Sequence, residues 1–271
     1  MYKYSQVEGA DKFILADLVQ IIKAVKGKKF ISLMLYGSYA KGEGGFVDNK
    51  PVNDYDLLLV GGSEATKKAI ENVKLDVKAE VWMVKDMSEF DECKQQWFEI
   101  KYSGIPLAGE DIRPLMPDYK PYDIPYSDAI NSLDKRVLSM LVGKYEMMKE
   151  DSDVNKVMTQ INKMIIALGD AILIKRGQFN PSYRTRSLML NEDGLTGLYN
   201  FAVHYKLFGG LEVDPDKIWA VWKEVQSIFR DYVIVNQIDT QFGEMLVNFD
   251  ERIEIDTFKG LLEALGCGDW L

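Results

Sequence analysis

The chain has 271 residues, enough for about two domains, and its composition, 47% hydrophobic and 28% charged, is that of a globular protein. A disordered, collagenous or low-complexity chain is therefore excluded. The formal net charge of −9 argues against a nucleic-acid partner, because binding to phosphates needs a basic surface, and it suits a cationic partner. The two cysteines are too few for a disulfide framework or a zinc site, and the single histidine, His204, excludes most histidine-based catalysis.

The N-terminal residues lack the apolar segment of a signal peptide, and the sequence has no run of about 18 consecutive apolar residues. We therefore expect a cytoplasmic protein with no membrane partner. The sequence leaves the oligomeric state open, and a homodimer is compatible with it.

The first third of the chain alternates helical and strand patterns. The predicted elements, in chain order, are a helix over 11–25, strands over 30–35 and 57–60, a helix over 64–73 that Ser63 caps, and a strand over 77–84. Strands that alternate with helices in this way predict a sheet covered by helices.

The second half of the chain has a different pattern. Residues 116–125 contain three prolines and no hydrophobic periodicity, which is typical of a linker. Beyond them, helical periodicity extends over 127–149, 154–176, 195–207, 217–235 and 255–265. We therefore predict an α+β protein, with a catalytic domain over 1–115 and an all-α helical bundle over 126–271.

The first strand ends in Gly37 and Ser38, a pair suited to binding an anion. Glycine lets the backbone turn sharply and approach a ligand closely. Ser38 then stands at the start of a predicted short helix, where free N–H groups favour a phosphate. Gly37 and Gly42 also have the spacing of a P-loop, but the next residue is Glu43 instead of the lysine that this motif requires, so the P-loop interpretation fails.

Two aspartates, Asp54 and Asp56, precede the apolar run of the second predicted strand. Residues two apart on a strand lie on the same face, about 7 Å apart along the backbone, while Tyr55 points to the other face. Like charges this close repel each other unless a hard divalent cation neutralises them. Beside a phosphate-binding turn, the pair predicts a site for magnesium and a triphosphate.

A third carboxylate would complete a site for two metal ions, and the third predicted strand offers two candidates on one face, Asp76 and Glu80. Glu80 lies well inside the strand and is preferred. Asp76 stands at its entrance, where it can serve as a junction residue between helix and strand, and it stays open as the alternative.

In combination, Gly37-Ser38 after a strand, Asp54-x-Asp56 before a hydrophobic run and an acid in a later strand resemble the DNA polymerase β-like nucleotidyltransferase superfamily, in particular its minimal and kanamycin-type members. Residues 100–110 also look like the end of that domain, where a helix leads into a turn, so the resemblance covers about residues 10–112. It implies a mixed sheet, a carboxylate triad that binds two Mg²⁺ ions, and transfer of a nucleoside monophosphate from an NTP to an acceptor hydroxyl.

A basic cluster in the helical half adds candidates for phosphate contacts: Lys175, Arg184 and Arg186. Salt bridges at helix ends explain these residues equally well. For Lys41, in the glycine-rich loop, a phosphate contact is one interpretation, and a solvated lysine is the preferred one. The helical half also resembles the bundle that accompanies minimal nucleotidyltransferases in toxin–antitoxin pairs, but no arginine precedes His204 at the spacing of the ribonuclease form, so ribonuclease activity is not supported.

The sequence thus predicts a metal-dependent nucleotidyltransferase, in which Asp54, Asp56 and Glu80 hold the metals and Glu80 accepts the proton of the acceptor hydroxyl. The acceptor is a small molecule, such as an aminoglycoside-like cation, or a protein hydroxyl. The alternative is a nucleotide-binding or antitoxin-like interaction module whose catalysis is weak or lost. A loop over 38–54 that is longer than is usual in the superfamily, and a glutamate as third acid, motivate this alternative.

Overall fold

The structure is a computed structural model, and it describes residues 2–190, 195–209, 215–236, 238, 242–247 and 253–267. The strands of this part of the chain are β1 (Ser32–Tyr36), β2 (Phe46–Val47), β3 (Lys50–Pro51), β4 (Tyr55–Val60), β5 (Ala79–Val84) and β6 (Ile105–Gly109). Its helices are α1 (Ala10–Ala24), α2 (Gly37–Ala40), α3 (Glu64–Glu71), α4 (Gln95–Ser103), α5 (Tyr126–Met147), α6 (Val154–Lys175), α7 (Tyr183–Met189), α8 (Thr196–Phe208), α9 (Pro215–Asn236), α10 (Gly243–Val247) and α11 (Ile255–Ala264).

The main sheet has the strand order β5-β4-β1-β6 and is mixed. β1 is antiparallel to both β4 and β6, whereas β4 and β5 are parallel. The predicted fold class, an α+β protein with a mixed sheet flanked by helices and a largely helical C-terminal part, is confirmed.

Alternation along the strands explains how the sheet is covered. On one face, Leu57 and Leu59 of β4 pack in a core cluster with Ile14 and Leu18 of α1. On the other face, Trp82 of β5 stacks on Trp97 of α4, with the ring centroids 4.4 Å apart. The residues of the site described below lie on this second face, at the end where β4 begins.

Two local predictions need correction. Residues 105–109, interpreted as part of a turn, form the edge strand β6, and Pro106 is tolerated there because an edge strand leaves N–H positions that need no partner. The long loop after Ser38 contains a small hairpin, β2 and β3, that the sequence analysis did not predict. Its turn residues, Asp48 and Asn49, have φ values of 48° and 61°, which these two residue types adopt more readily than most.

The chain divides into two compact units. The first comprises 1–125, 177–186 and 204–209, and the second comprises 126–176, 187–203 and 210–271. Two segments that the sequence analysis assigned to the helical bundle, 177–186 and 204–209, therefore belong to the unit that contains the main sheet. Both carry basic residues, and both take part in the site described below.

The second unit is helical in its described part. Helices α5 and α6 form an antiparallel hairpin, and the indole N–H of Trp222 on α9 donates to the carbonyl oxygen of Met140 at 3.1 Å. Helix α6 is long and apolar enough to cross a membrane, but 67% of its most apolar stretch is buried within the protein. Such burial is what a core helix shows.

Candidate functional site

The backbone of Gly37 lies directly against the carboxylate of Asp56. β1 ends at Tyr36, and the chain turns at Gly37, whose φ is +71°, into the single helical turn α2. A Cβ atom on Gly37 would lie 2.0 Å from Oδ2 of Asp56. Both the left-handed backbone and this close approach require glycine. The structure therefore brings the glycine–serine turn and the second aspartate together.

Asp56 is flanked by two other polar side chains of the sheet. In register it lies beside Glu80 on the parallel strand β5 and beside Tyr36 on the antiparallel strand β1. Neighbouring strands are about 4.8 Å apart, and paired residues share a face. Burial, followed by the charges of Asp56, Glu80 and Glu99, raises the pKa of Tyr36 well above its usual range. These acidic groups therefore gather around one end of the sheet.

Burial also raises the pKa of the Asp56 carboxyl to about 6. The charges of Lys206 and Lys41 lower this pKa, while those of Glu80 and Glu99 raise it further. A half-buried carboxylate among like charges is costly to ionise, so the site is electrostatically suited to a cation.

This pKa predicts how Asp56→Asn alters stability. Below about pH 4 the aspartate is neutral in both the folded and the unfolded protein, and the variant should match the wild type. As the pH rises from about 4 to about 6, the unfolded chain ionises this carboxyl while the folded protein keeps it protonated, so the wild type loses stability that the neutral asparagine retains. We expect the variant to be more stable at pH 7 by on the order of 2 kcal/mol in the presence of a chelator. Thermal unfolding of both proteins at pH 4 and pH 7 measures this difference in stability. A variant no more stable than the wild type at pH 7 would contradict the prediction.

Asp54 and Tyr55 occupy opposite sides of the start of β4. Asp54 is exposed and lies two residues before Asp56, whereas Tyr55 is fully buried and its hydroxyl donates to Oδ2 of Asp17 at 2.8 Å. The prediction that Tyr55 points to the other face is confirmed.

The two candidates for the third acid have different surroundings. Glu80 is exposed beside Asp56, and Nζ of Lys78 lies 2.9 Å from its Oε1. Asp76 precedes β5, and its Oδ1 lies 3.9 Å from Nζ of Lys50. Glu80 is therefore the acid that the sheet register places next to Asp56.

The structure does not draw three acidic side chains into one tight group. Across the described ranges, no set of three His, Cys, Asp or Glu side chains is close enough to hold a metal ion. The pair Asp56 and Glu80 nevertheless fits magnesium, which in nucleotide-using proteins is bound through one or two carboxylates together with phosphate oxygens of the substrate.

Ser38 is almost fully buried in the turn α2 and belongs to a polar network. Its hydroxyl donates to Oδ1 of Asn53 at 3.5 Å, and the same oxygen accepts the N–H of Gly45 at 2.7 Å. Asn53 thus links the glycine-rich loop to the residues just before Asp54. The sequence analysis did not predict this connection.

Lys41 is buried, contrary to its interpretation as a solvated lysine. Its side chain is 2% exposed, and Nζ lies 2.7 Å from Oε1 of Glu99. Burial lowers the pKa of Lys41, but the neighbouring Glu99 and Tyr183 outweigh this effect, and the net pKa is raised. Lys41 therefore stays charged within the protein.

Arg186 joins Lys41 in a buried cluster of cations. Its Nη2 atom lies 3.7 Å from Oε1 of Glu99, and its side chain is 1% exposed. Its guanidinium carbon lies 4.3 Å from the ring centre of Tyr183 and 4.8 Å from that of Phe179. One carboxylate, Glu99, thus faces two cations. The structure therefore places Arg186 next to Lys41 and Glu99, whose charges both change the pKa of Asp56.

Lys206 is a further cation near Asp56 that the sequence analysis did not single out. Its charge acts on the Asp56 carboxyl, and its Nζ lies 5.4 Å from the ring centre of Tyr183. A Cβ atom on Gly45 would lie 2.6 Å from the carbonyl oxygen of Lys206, so the end of α8 approaches the glycine-rich loop closely. Nothing in the sequence around Lys206 signals this proximity.

The other two predicted basic residues have different environments. Arg184 is exposed, and its Nη1 donates to Oε1 of Gln6 at 3.2 Å. Lys175 belongs to the second unit, where its Nζ donates to Oδ1 of Asn236 and lies 5.8 Å from the ring centre of Tyr126. Arg184 forms no hydrogen bond or ion pair that the structure describes with Lys41, Arg186 or Glu99.

Comparison with known proteins gives a weak likeness in fold. No family model matches the chain, and no curated protein matches its sequence. A solved structure of spectinomycin adenyltransferase AAD(9) from Enterococcus faecialis, with ATP and spectinomycin, is similar over 78% of this chain and 96% of the other, with a TM-score of 0.46 and 15% sequence identity. A likeness this weak carries no information about activity, so the functional assignment depends on the geometry of the site.

Proposed function

We propose that the protein is a metal-dependent nucleotidyltransferase, which transfers a nucleoside monophosphate from an NTP to an acceptor hydroxyl and releases pyrophosphate. The observation that carries this proposal is the contact between the Asp56 carboxylate and the Gly37 backbone, with Glu80 beside Asp56 in register. A turn that can bind phosphates and a pair of acids that can bind a divalent cation therefore lie at the same end of the sheet.

In this proposal Asp56 and Glu80 would hold Mg²⁺ together with phosphate oxygens of the NTP, and Asp54 is the further candidate ligand. The bound ion would neutralise phosphate charge and make the acceptor hydroxyl more acidic. Glu80 is exposed, and it accepts the proton as the acceptor oxygen bonds to the α-phosphorus. The bond from that phosphorus to the bridging oxygen breaks, and the β- and γ-phosphates leave as pyrophosphate. Gly37 and Ser38 seat the triphosphate.

The cations near Asp56 support a polyphosphate substrate. Lys41, Arg186 and Lys206 all lie within cation–π distance of the Tyr183 ring, and Glu99 is the carboxylate paired with the first two. Lys41 and Arg186 are buried against Glu99, whereas Lys206 is partly exposed and is available to pair with an anion such as a triphosphate. We therefore assign Lys206 to the nucleotide, and Arg186, proposed from the sequence, acts from within the protein. Lys175 and Arg184, proposed from the sequence, have less support.

The acceptor is proposed from charge alone. An acidic protein attracts cations, which favours an aminoglycoside-like small molecule over a protein hydroxyl.

The proposed reaction is tested by incubating the protein with Mg²⁺, each of the four NTPs labelled at the α-phosphate, and a panel of hydroxyl-bearing amines and proteins. Transfer of the label together with pyrophosphate release supports the proposal. Binding of Mg-NTP without transfer to any acceptor would instead favour a nucleotide-binding module.

Lys206→Ala should weaken Mg-ATP binding about tenfold, because it removes one charge-assisted contact to phosphate. Lys67→Ala is the matched control, since Lys67 lies on α3 and forms a helix-surface pair with Glu71. Calorimetric titration of both variants measures the effect. Unchanged affinity in Lys206→Ala would show that this lysine does not contact the nucleotide.

A further inference from the structure

Glu43 is a buried carboxylate that the proposed chemistry does not use. It is 2% exposed, and its backbone N–H donates to the carbonyl oxygen of Ser38 at 2.9 Å. The start of the side chain is therefore fixed relative to the turn that seats the triphosphate in the proposed function.

The carboxylate of Glu43 binds the beginning of helix α7, about 140 residues further along the chain. Oε1 accepts the hydroxyl of Ser182 at 2.7 Å and the N–H of Arg184 at 3.2 Å, and Oε2 accepts the N–H of Tyr183 at 2.8 Å. The hydroxyl of Ser182 also accepts the N–H of Thr185 at 3.2 Å. N–H groups in the first turn of a helix have no partner within the helix, so Glu43 supplies acceptors that α7 otherwise lacks.

These contacts require a carboxylate rather than an amide. All of the donors named are neutral, and each oxygen of Glu43 accepts a backbone N–H. In a glutamine either orientation of the amide would turn an NH₂ group toward a backbone N–H, and that N–H would lose its acceptor. A buried group without its partner is costly, so the start of α7 would shift.

Tyr183 is the residue through which such a shift would reach the site. Its N–H is held by Glu43, and its ring lies 4.7 Å from Nζ of Lys41, 4.3 Å from the guanidinium carbon of Arg186 and 5.4 Å from Nζ of Lys206. Cations are attracted to the face of an aromatic ring. The position of this ring therefore helps to set where the cations near Asp56 stand.

We propose that Glu43 is a positioning residue that holds the ring of Tyr183 in place, so that the partly exposed Lys206 faces the triphosphate while the buried Lys41 and Arg186 pack against the same ring. The inference rests on the proposed function. Glu43 itself does not touch the nucleotide. It joins the phosphate-binding turn to the segment that arranges the cations.

The test measures Mg-ATP affinity by calorimetry in the full-length protein. Glu43→Gln should weaken binding about tenfold, because a displaced Lys206 no longer matches the phosphates. Glu146→Gln is the matched control: Glu146 is also buried, but it lies in the second unit and binds Lys149 and Lys156. Both variants should unfold at a lower temperature than the wild type, but Glu146→Gln should retain the wild-type affinity for Mg-ATP.

A double-mutant cycle with Tyr183→Leu separates positioning from a general loss of structure. If Glu43 acts through the ring, Glu43→Gln should cause no further loss of affinity once the ring is gone. If Glu43→Gln fails to fold, Ser182→Ala, which removes one of the three donors, takes its place in the cycle. The conservative variant Glu43→Asp should recover part of the affinity, since it keeps the carboxylate.

Wild-type affinity in Glu43→Gln, or a tenfold loss that persists in the Tyr183→Leu background, would overturn the inference while leaving the proposed function intact. A wild-type protein that binds neither Mg-ATP nor inorganic tripolyphosphate would overturn both.

Discussion

Asp56→Asn should lower the rate of nucleotidyl transfer about a thousandfold or more, because a divalent cation and its carboxylate ligands contribute several kcal/mol of transition-state stabilisation. The asparagine has the same shape as the aspartate, and its neutral amide suits this half-buried position. The fold should therefore survive, and the loss should be one of kcat. Initial rates of pyrophosphate release at saturating Mg-NTP, with the acceptor found in the screen, measure it.

Asp17→Asn is the control for this variant. Asp17 accepts the hydroxyl of Tyr55 on the opposite face of β4, and burial raises the pKa of this carboxyl as it does that of Asp56. The control should retain its activity and change only in stability. Full activity in Asp56→Asn, or an equal loss in both variants, would contradict the assignment of Asp56.

Gly37→Ala should remove at least 99% of the activity, because the new methyl group would lie 2.0 Å from Oδ2 of Asp56 and must displace it. A misplacement of about 1 Å at reacting groups costs on the order of a hundredfold in rate. The variant also places an L side chain at a φ of +71°, which adds a backbone strain of about 1 kcal/mol. Activity assays and thermal unfolding together measure the two effects.

Gly9→Ala isolates the strain from the clash. Gly9 has a φ of +78°, and a Cβ atom there would meet nothing within 4 Å. This variant should lose stability and keep its activity. In an Asp56→Ala background, Gly37→Ala should cost no more stability than Gly9→Ala does, since the carboxylate that it strikes is gone. Retained activity in Gly37→Ala would show that the contact between the turn and Asp56 is not needed.

The local elements were largely predictable from the sequence. The period of hydrophobic residues in α1 and the apolar run of β4 are properties of short segments, and Ser63 accepts the N–H of Thr66 as the cap of α3, as predicted. The opposite orientation of Tyr55 to its two neighbouring aspartates also follows, because side chains alternate between the two faces of a strand. Strand β6 was missed because Pro106 reads as a turn residue until an edge position makes it acceptable.

The candidate site was predictable only in part. Gly37 follows one predicted strand and Asp56 precedes the next, so the sequence suggested that they are neighbours. Their contact, however, depends on how β1 and β4 pair. The same holds for Glu80, which is the acid beside Asp56 because β4 and β5 are parallel in one particular register. Asp76 and Glu80 could not be separated by the alternation of side chains, since the predicted strand would put both on one face, whereas β5 begins only at Ala79.

The sequence by itself determined most of the elements, the mixed class of the protein and the residue types at the ends of its strands, because these depend on periodicity and local backbone preference. Only the tertiary structure decided which charges meet. Lys41 and Arg186 converge on Glu99, Glu43 binds the start of α7, and Lys206 acts on Asp56, although these residues are far apart in the chain. Such contacts depend on the packing of segments 177–186 and 204–209 within the first unit, and no local pattern encodes that packing.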